Sequence, residues 1–310
     1  MSIATESRSR SFGRLRSGPP RSRPRGRRRN ADDYASIWIH LIALGVIAVA
    51  LLPIVWMIIA SISPPTELLA RPLRWIPRDP DFSRYKDVFT GAADSPAGAF
   101  RRAMLNSLIV AAGTVTLSLV VGILGGYAFA RLRFAGRRVT LLVFLSTYML
   151  PPISLVIPLY LILVRLQLLD SVIGLIVVYS SFCTPFVLWT LSGYFAGIPV
   201  DLEEAARLDG CSRLGVLWRI ILPLSKPGIF SAILFATLLC WDEFLYALIF
   251  TNSAHAKTIP VAIADFSAKF STDFGLVCVG GLLAAIPPVV VALAFQRFVV
   301  SGLMAGAVKG

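Results

Sequence analysis

Six long apolar blocks decide what this chain of 310 residues can fold into. They lie near residues 36–60, 104–130, 139–163, 171–194, 228–250 and 275–299. Each is longer than the ~18 residues that a helix needs to cross a bilayer, a length that no water-exposed helix requires. The chain is 56% hydrophobic and only 15% charged, whereas soluble domains average ~45–50% and ~25%. We therefore expect an all-α, polytopic membrane protein with six transmembrane helices.

The basic residues predict the topology and divide the chain into three parts. Ten of the 30 precede residue 30, so the net charge of +13 describes a terminal tail and does not indicate nucleic-acid binding. Residues 1–33 have few large apolar side chains, and we expect a disordered cytoplasmic tail there. The span domain covers 34–300, and 301–310 form a cytoplasmic C-terminal tail. With both termini inside, 20 basic residues face the cytoplasm and 10 lie outside, as the positive-inside rule favours.

An Arg- and Ser-rich start is also typical of a transit peptide or an export signal. The apolar block that follows is too long for the hydrophobic region of a signal peptide, and it lacks a cleavage site of small residues. We therefore favour a tail that is retained.

Prolines and glycines indicate where the spans bend or pack closely. The prolines within the blocks are Pro53, Pro151, Pro152, Pro158, Pro185, Pro287 and Pro288. Each frees a carbonyl group that needs a partner, either in a neighbouring helix or in a water-lined substrate path, and the sequence leaves both open. Gly122, Gly125 and Gly126 form a small-residue face, which predicts close helix packing.

Metal and redox sites are not indicated. The cysteines, Cys183, Cys211, Cys240 and Cys278, lie far apart, and none has the spacing of a metal or redox motif. We expect them to be buried small side chains. His40 and His255 are too few and too separated for a histidine-based site.

The segment 198–227, between the fourth and fifth blocks, carries the most informative pattern. Asp201, with Glu204 three positions later, predicts a capped start of a short helix, and Gly210 suits the left-handed residue that ends it. On this helix Leu202, Ala205, Ala206 and Asp209 share one shallow face, with Glu203, Glu204 and Arg207 around it. The pattern predicts a docking surface for another protein, although any interfacial loop can be amphipathic.

A second short helix is predicted from Ser212. Leu214, Leu217, Trp218 and Ile221 recur at helical spacing, as in an amphipathic helix that rests on the membrane surface. Pro223 and Pro227 then turn the chain into the fifth span.

The spacing within 198–227 resembles the EAA motif of the permease subunits of bacterial ABC importers. Glu204-Ala205-Ala206 is followed after three residues by Gly210, and after nine more by Ile220 and then Leu222-Pro223. In that family the motif forms the coupling helix, which inserts into a cleft on the cytoplasmic ATPase subunit. The resemblance implies the fold of a type I ABC importer permease. It assigns the coupling role to Glu204, Ala205, Ala206, Asp209 and Gly210.

The resemblance extends from about residue 53 to the C-terminus and narrows the subfamily to the MalG-type carbohydrate permeases. The similar segments are Asn106-Ser107-Leu108, 126–132, Ile157-Pro158-Leu159-Tyr160, and 296–310. Such a permease is the smaller, six-span partner in a heterodimer, and its C-terminal tail reaches the ATPase dimer interface. A second candidate contact therefore comprises Ala305, Gly306, Ala307, Val308, Lys309 and Gly310. The basic tail before residue 30 is longer than these permeases usually carry.

Two adjacent carboxylates, Asp242 and Glu243, lie within the fifth block. Ionised groups at membrane depth cost ~2.5–3.5 kcal/mol, so they tend to face a cavity or a partner. Since successive helical residues point ~100° apart, at most one of the two is expected to face the substrate path. Trp241, Phe244 and Tyr246 suit stacking on a sugar ring, although aromatic residues in a span more often belong to the core or to an interfacial belt.

These features predict a permease subunit that moves a sugar or sugar-like solute across the bacterial plasma membrane, and not an enzyme. No G-x-x-x-x-G-K-[ST] motif occurs, so ATP and Mg are expected on a partner ATPase and no cofactor on this chain. The resemblance implies a second, MalF-type permease subunit, two ATPase subunits and an extracytoplasmic solute-binding protein, besides membrane lipid. No nucleic-acid partner is expected.

Three alternative functions are compatible with a polytopic membrane protein or differ from it in recognisable residues. Import of a glycerol phosphate ester by the same architecture stays open. A secondary transporter would need intramembrane ion-coupling groups and usually more spans. An intramembrane hydrolase would need a nucleophile paired with His, or two separated acids. The sequence shows neither the pattern of a secondary transporter nor that of a hydrolase.

Overall fold

The computed structural model describes residues 29–307, apart from residue 73 and the segments 93–94 and 269–272. Every regular element in that part of the chain is a helix, as the apolar blocks predict. The chain divides into two compact units, one up to Pro53 and one from Ile54 onward.

Long and short helices alternate along the chain. The longer ones are α1 (Arg29–Ile62), α4 (Pro96–Arg131), α5 (Arg137–Ser146), α6 (Pro152–Arg165), α7 (Val172–Ala196), α11 (Lys226–Trp241), α13 (Ile259–Ala268) and α14 (Phe274–Ala307). The shorter ones are α2 (Pro65–Leu68), α3 (Ser83–Thr90), α8 (Asp201–Leu208), α9 (Arg213–Val216), α10 (Leu222–Leu224) and α12 (Leu245–Phe250). A π-helical turn (Leu217–Ile221) joins α9 to α10, and a 3₁₀ turn (Thr147–Met149) follows α5.

The ends of the described helices overlap the two predicted tails. α1 begins at Arg29, so residues 29–33 are helical although their composition assigned them to the tail. No proline occurs between Pro24 and Pro53, so nothing interrupts the helix upstream of the first block. Likewise α14 continues to Ala307, through part of the predicted C-terminal tail. The rest of the tails, residues 1–28 together with Val308, Lys309 and Gly310, lies outside the described residues.

Four of the described helices are long and apolar enough to cross a membrane alone: α1, α4, α7 and α14. Serine caps fix the start of two of them. The Ser95 hydroxyl accepts a hydrogen bond from Gly98 N at 3.0 Å before α4, and the Ser171 hydroxyl accepts one from Ile173 N at 3.2 Å before α7. The first, second, fourth and sixth blocks therefore form single helices, as predicted.

The third and fifth blocks are broken, which corrects the expectation of one continuous helix in each. α5 and α6 are bent by 101°, because Pro151 and Pro152 interrupt the helical hydrogen bonds between them. The helical segment Arg213–Leu224 is bent by 79° relative to α11, and α11 itself ends at Trp241, within the fifth block. If each bent pair counts as one span, the described helices give up to six spans.

The glycine face of α4 packs against α7 as predicted. A Cβ atom at Gly122 would lie 2.6 Å from Val187 Cγ1, and one at Gly126 would lie 3.2 Å from the backbone nitrogen of Ser192. Both distances are shorter than an ordinary van der Waals contact of 3.4–4 Å. The two helices therefore touch along this face, because no side chain separates them.

Two clusters of buried apolar residues form the core of the second unit. One contains Tyr179 of α7 with Phe266 of α13. The other contains Leu191 of α7 with Leu217, which lies in the 198–227 segment. Both clusters share α7, which therefore forms the centre of this unit.

Polar side chains fix the loops at the end away from α8. Buried Arg84 donates a hydrogen bond to Ser63 O at 2.9 Å and pairs with Asp273 at 3.2 Å. Asn106 Nδ2 of α4 donates to Lys257 O at 2.9 Å. These contacts tie the loops that precede α4 and flank α13 to the long helices.

Candidate functional site

α8 begins one residue earlier than the sequence predicts. Asp201 is its first helical residue, and Val200 occupies the cap position. The predicted capping box of Asp201 and Glu204 is wrong, because a residue with helical backbone angles does not take the extended cap conformation. Three acidic residues, Asp201, Glu203 and Glu204, lie in the first turn instead, where their charge interacts favourably with the helix dipole.

The end of α8 matches its prediction. Gly210 has a φ of +87°, in the left-handed region that glycine favours. Cys211 N donates to Ala206 O at 2.9 Å, and Gly210 N donates to Arg207 O at 3.1 Å, so the last carbonyls of the helix are satisfied. No atom lies within 4 Å of a Cβ placed at Gly210. Its backbone conformation, and not crowding, therefore requires glycine.

α8 turns two side chains inward and presents the others to solvent. Glu203 and Ala206 are both 7% exposed. The exposed members of the predicted docking surface are Glu204, Ala205, Arg207, Asp209 and Gly210. The prediction that Ala206 belongs to the docking surface is therefore wrong, because Ala206 packs into the cluster around Leu217. Leu208, 89% exposed, projects on the outer side of α8 instead.

Glu203 faces the end of α4 and not a docking partner. Its carboxylate forms an ion pair with the Arg131 guanidinium and accepts a hydrogen bond from the Tyr127 hydroxyl at 3.2 Å. Arg131 Nη2 also donates to Ile198 O, in the turn before α8, at 2.7 Å. The assignment of Glu203 to the docking surface is thus corrected: its charge is neutralised inside the chain.

A cavity of about 350 Å³ opens beside this ion pair. Its charged lining comprises Arg131, Arg133, Arg137, Arg207 and Arg213, together with Glu203 and Glu204. Arginines outnumber glutamates, so the cavity between α8 and the start of α5 has a positive potential.

The helix after α8 divides its predicted apolar stripe between two environments. The Ser212 hydroxyl accepts a hydrogen bond from Gly215 N at 3.1 Å and starts the helix. Leu217 and Ile221 are fully buried, whereas Leu214 is 60% and Trp218 64% exposed. Only Leu214 and Trp218 are therefore available to a membrane surface, because the other two form part of the core.

The two carboxylates of the fifth block do not lie on a helix. α11 ends at Trp241, and Asp242, Glu243 and Phe244 connect it to α12. Glu243 caps α12: its carboxylate accepts hydrogen bonds from Tyr246 N at 2.9 Å and Ala247 N at 3.2 Å. Asp242 is exposed. The prediction that Asp242 and Glu243 are successive residues of a helix is therefore wrong. The two carboxylates nevertheless lie in different environments.

Two of the three aromatic residues of this segment, Trp241 and Tyr246, belong to the core, whereas Phe244 is 39% exposed. Trp241 and Tyr246 are each 5% exposed. Trp241 Nε1 donates to Ala284 O at 3.0 Å, and the Tyr246 hydroxyl donates to Pro152 O at 3.1 Å. The Tyr246 ring stacks on Phe250 with centroids 5.7 Å apart. Asp242 is thus the exposed member of the predicted path residues, and Trp241 and Tyr246 hold helices together.

The docking surface and the path residues form two separate sites. α11 lies between them in the chain and has 16 residues, which gives a length of about 24 Å. Among the described residues, no group of His, Cys, Asp and Glu is arranged to hold a metal ion. Cys183 and Cys240 are buried, as predicted, whereas Cys211 and Cys278 are half-buried.

Sequence reasoning missed the roles of Tyr127 and Arg131. Both lie in the 126–132 segment, which was matched only for its resemblance to other permeases. They are four positions apart at the end of α4 and so share one helical face. A hydroxyl and a cation four positions apart at the end of an apolar block could have indicated a binding site for a carboxylate on a neighbouring helix.

Comparisons with known proteins agree with this architecture. The family model described as "Binding-protein-dependent transport system inner membrane component" matches residues 118–304. The chain is 37% identical to the trehalose transport system permease protein SugB of Mycobacterium tuberculosis over 278 residues, which cover 89% of this chain and 98% of that protein. It is 34% identical to the trehalose/maltose transport system permease protein MalG of Thermococcus litoralis over 274 residues, which cover 87% and 96%.

A solved structure shows the same fold. The crystal structure of a bacterial ABC transporter involved in the import of the acidic polysaccharide alginate contains a chain that matches with a TM-score of 0.73 and 24% identity. The match covers 86% of this chain and 98% of that one.

The helices and their order define a polytopic, all-α membrane protein with the fold of that transporter chain. The chain belongs to the family of binding-protein-dependent transport system inner membrane components. The resemblance to MalG-type permeases is confirmed, and so is the all-α ABC permease fold. The chain is thus a multi-pass protein of the inner membrane.

Proposed function

We propose that this permease carries a sugar or an oligosaccharide into the cell. The observation that supports it is the similarity to two permeases of trehalose and trehalose/maltose transport systems, each over more than 85% of both chains. The bound solute would arrive from an extracytoplasmic solute-binding protein and pass between this chain and a second, MalF-type permease subunit.

ATP binding and hydrolysis, in this proposal, belong to two separate ATPase subunits. The printed sequence has no phosphate-binding glycine loop. The exposed side of α8 is the surface we assign to the ATPase. Leu208, 89% exposed, and the small side chain of Ala205 would enter the ATPase cleft. Glu204, Arg207 and Asp209 would form a charged rim, as is usual in protein interfaces.

The bounds of α8 suit a coupling element. Gly210 ends the helix sharply, and the turn from Gly197 to Val200 begins it, so α8 is a compact body between two bends. Closure of the ATPase dimer on ATP would displace α8 and, with it, the spans on either side. The C-terminal residues Ala305 to Gly310 are a second proposed ATPase contact.

Asp242 is the residue we place at the translocation path. Its carboxylate is exposed at the break between α11 and α12. Ionised groups within a span are stable only beside water or a partner. Glu243 would take no direct part, because its oxygens already accept hydrogen bonds from the N-terminus of α12.

The orientation follows from the basic residues, with both termini in the cytoplasm. Single cysteines introduced at Ala92 and Ala135, both exposed, would test it in a cysteine-free variant. A membrane-impermeant thiol reagent added to intact cells should label position 92 and spare position 135. Labelling of position 135 from outside would refute the orientation.

Purification and reconstitution test the function as a whole. The affinity-tagged permease should co-purify with an ATPase. In vesicles that contain the binding protein, a sugar should stimulate ATP hydrolysis and accumulate inside. A panel of mono- and oligosaccharides with glycerol phosphate esters would identify the solute. Stimulation by a glycerol phosphate ester alone would refute the sugar assignment. Uptake driven by an ion gradient without ATP would refute the importer class.

A further inference from the structure

α8 contacts the rest of the chain through two inward side chains of different character. Ala206 contributes a small apolar contact in the cluster around Leu217. Glu203 contributes a charge, paired with Arg131 and hydrogen-bonded by Tyr127. The polar contact is directional, because the hydrogen bond from Tyr127 constrains the Glu203 carboxylate in both distance and angle.

Arg131 joins three segments at one point. It is the last residue of α4, pairs with Glu203 of α8, and donates to Ile198 O in the turn that leaves α7. Its side chain is only 10% exposed. A displacement of α8 therefore acts directly on the end of α4 and not only through the chain that connects α8 to α7.

α4 and α7 can carry such a displacement as one body. Their contact at Gly122 and Gly126 leaves no space for a methyl group, and tightly packed helices shift together more readily than they deform. A push on the cytoplasmic end of α4 would therefore reach the far end of both helices.

Stability alone does not account for the ion pair, since a buried ion pair is often no more stabilising than an apolar pair of similar size. The buried contact of Ala206 shows that apolar packing can also hold α8 against the rest of the chain. What an ion pair adds is a fixed geometry between α8 and α4.

We propose that Arg131, Glu203 and Tyr127 form a tether that transmits the movement of α8 to the α4–α7 pair. The three are positioning residues. They set the orientation of α8, so that Glu204 and Leu208 face outward, and they link its displacement to the spans. This role rests on the proposed function, in which the outer face of α8 binds the ATPase.

Charge reversal and charge exchange test the tether in the full complex. Arg131→Glu and Glu203→Arg each place like charges together, and the double variant restores an opposite pair. Glu203→Gln is a milder change that keeps the shape of the side chain. Arg138→Glu, an exposed position on α5, makes the same charge change nearby without touching the tether.

The first measurement is sugar uptake per ATP hydrolysed in reconstituted vesicles. We expect a decrease of about 5- to 150-fold in the single reversals, the usual range of coupling between sites. We expect a smaller decrease in Glu203→Gln and recovery of most of the ratio in the double variant. The amount of ATPase that co-purifies should stay normal, and Arg138→Glu should match the wild type.

The second measurement does not depend on transport. Spin labels at Leu208 and at Leu124, an exposed residue of α4, report the distance between α8 and α4 in a cysteine-free background. The distance distribution should be narrow in the wild type, broad in each single reversal, and narrow again in the double variant.

Each outcome decides one claim. If the single reversals lower thermal stability but keep the wild-type uptake per ATP and a narrow distance distribution, the pair is only a structural contact and the tether is refuted. If the double variant recovers neither readout, the proposed pairing is refuted. If the wild-type complex shows no sugar-stimulated ATPase, the proposed function fails, and the distance measurement alone decides the tether.

Discussion

The contact between α4 and α7 gives a quantitative prediction for single methyl groups. In Gly122→Ala the new Cβ would lie 2.6 Å from Val187 Cγ1 and 3.3 Å from the backbone nitrogen of Leu188. Ordinary contacts are 3.4–4 Å, so the helices must separate or Val187 must leave its rotamer. Overpacking of this kind costs ~1–3 kcal/mol, and the higher helix propensity of alanine offsets ~0.5–1 kcal/mol.

Gly193 of α7 provides a matched control on the same helix pair. No atom lies within 4 Å of a Cβ at Gly193, so Gly193→Ala should keep the full propensity gain of ~0.5–1 kcal/mol. The two variants differ only in whether the methyl group meets α4–α7 packing. Gly122→Ala should therefore be less stable than Gly193→Ala by ~1–3 kcal/mol.

Thermal unfolding of the purified complex, followed by intrinsic tryptophan fluorescence, measures this difference. A protein of this size shifts its Tm by roughly 2–4 °C per kcal/mol. We expect Gly193→Ala at or above the wild-type Tm and Gly122→Ala several degrees below it. Equal Tm values for the two variants would refute the close contact between the helices.

Three further predictions address the turn after α8, the break between α11 and α12, and the loop between α6 and α7. Gly210→Leu should abolish transport with normal membrane insertion, because a left-handed backbone costs a branched residue ~1–2 kcal/mol, whereas Gly210→Asn should retain much of the uptake. Asp242→Asn should change sugar-stimulated ATPase turnover, and Glu243→Gln should mainly lower the Tm because it weakens the cap of α12; equal effects of both in the two assays would contradict this division. Half-buried Asp170 accepts hydrogen bonds from Asn252 N and Ser253 N. Burial raises the pKa of the Asp170 carboxyl, but these two donors lower it more, so the pKa lies below the ordinary 3.8. The stability that the ionised Asp170 adds to the fold is thus fully present above pH 3.8. It is lost as the pH falls through the lower pKa that Asp170 has in the folded protein. Asp170→Asn should be less stable than the wild type at pH 7 by under ~1 kcal/mol, with a gap that closes in acid; a gap independent of pH would contradict the assignment.

The sequence predicted what depends on repeating local patterns. Block length predicted the helical class and the positions of the spans, of which the described helices give four to six. The spacing of Gly122 and Gly126 predicted a close contact, and a glycine at 210 predicted a left-handed turn. Each follows from short-range geometry, which a helix repeats along its length. The family resemblance rested on the spacing of the 198–227 loop and on four further segments, and it was confirmed.

The features that were wrong depend on contacts between distant segments. Whether Glu203 faces outward or inward is decided by Arg131, on another helix, and the sequence gives no distance between the two. The break at Asp242 was missed because an apolar block without proline at that point has no local signal for a helix end. Ala206 was placed outward for a similar reason, since the core that surrounds it comes from other helices.

The rate of thiol labelling on α8 tests directly whether the exposed face of this helix binds the ATPase. Leu208→Cys, in a cysteine-free chain, places a reporter on the most exposed large apolar side chain of α8. Its rate of labelling by a small thiol reagent is compared between the permease pair alone and the complex with its ATPase. A cysteine at exposed Ala135, in the loop before α5, is the control. We expect the ATPase to slow labelling at 208 by more than about tenfold, as burial in an interface core requires, and to leave 135 largely unaffected. Glu204→Lys should remove this protection together with transport. Equal labelling at 208 with and without the bound ATPase would contradict the docking role of α8.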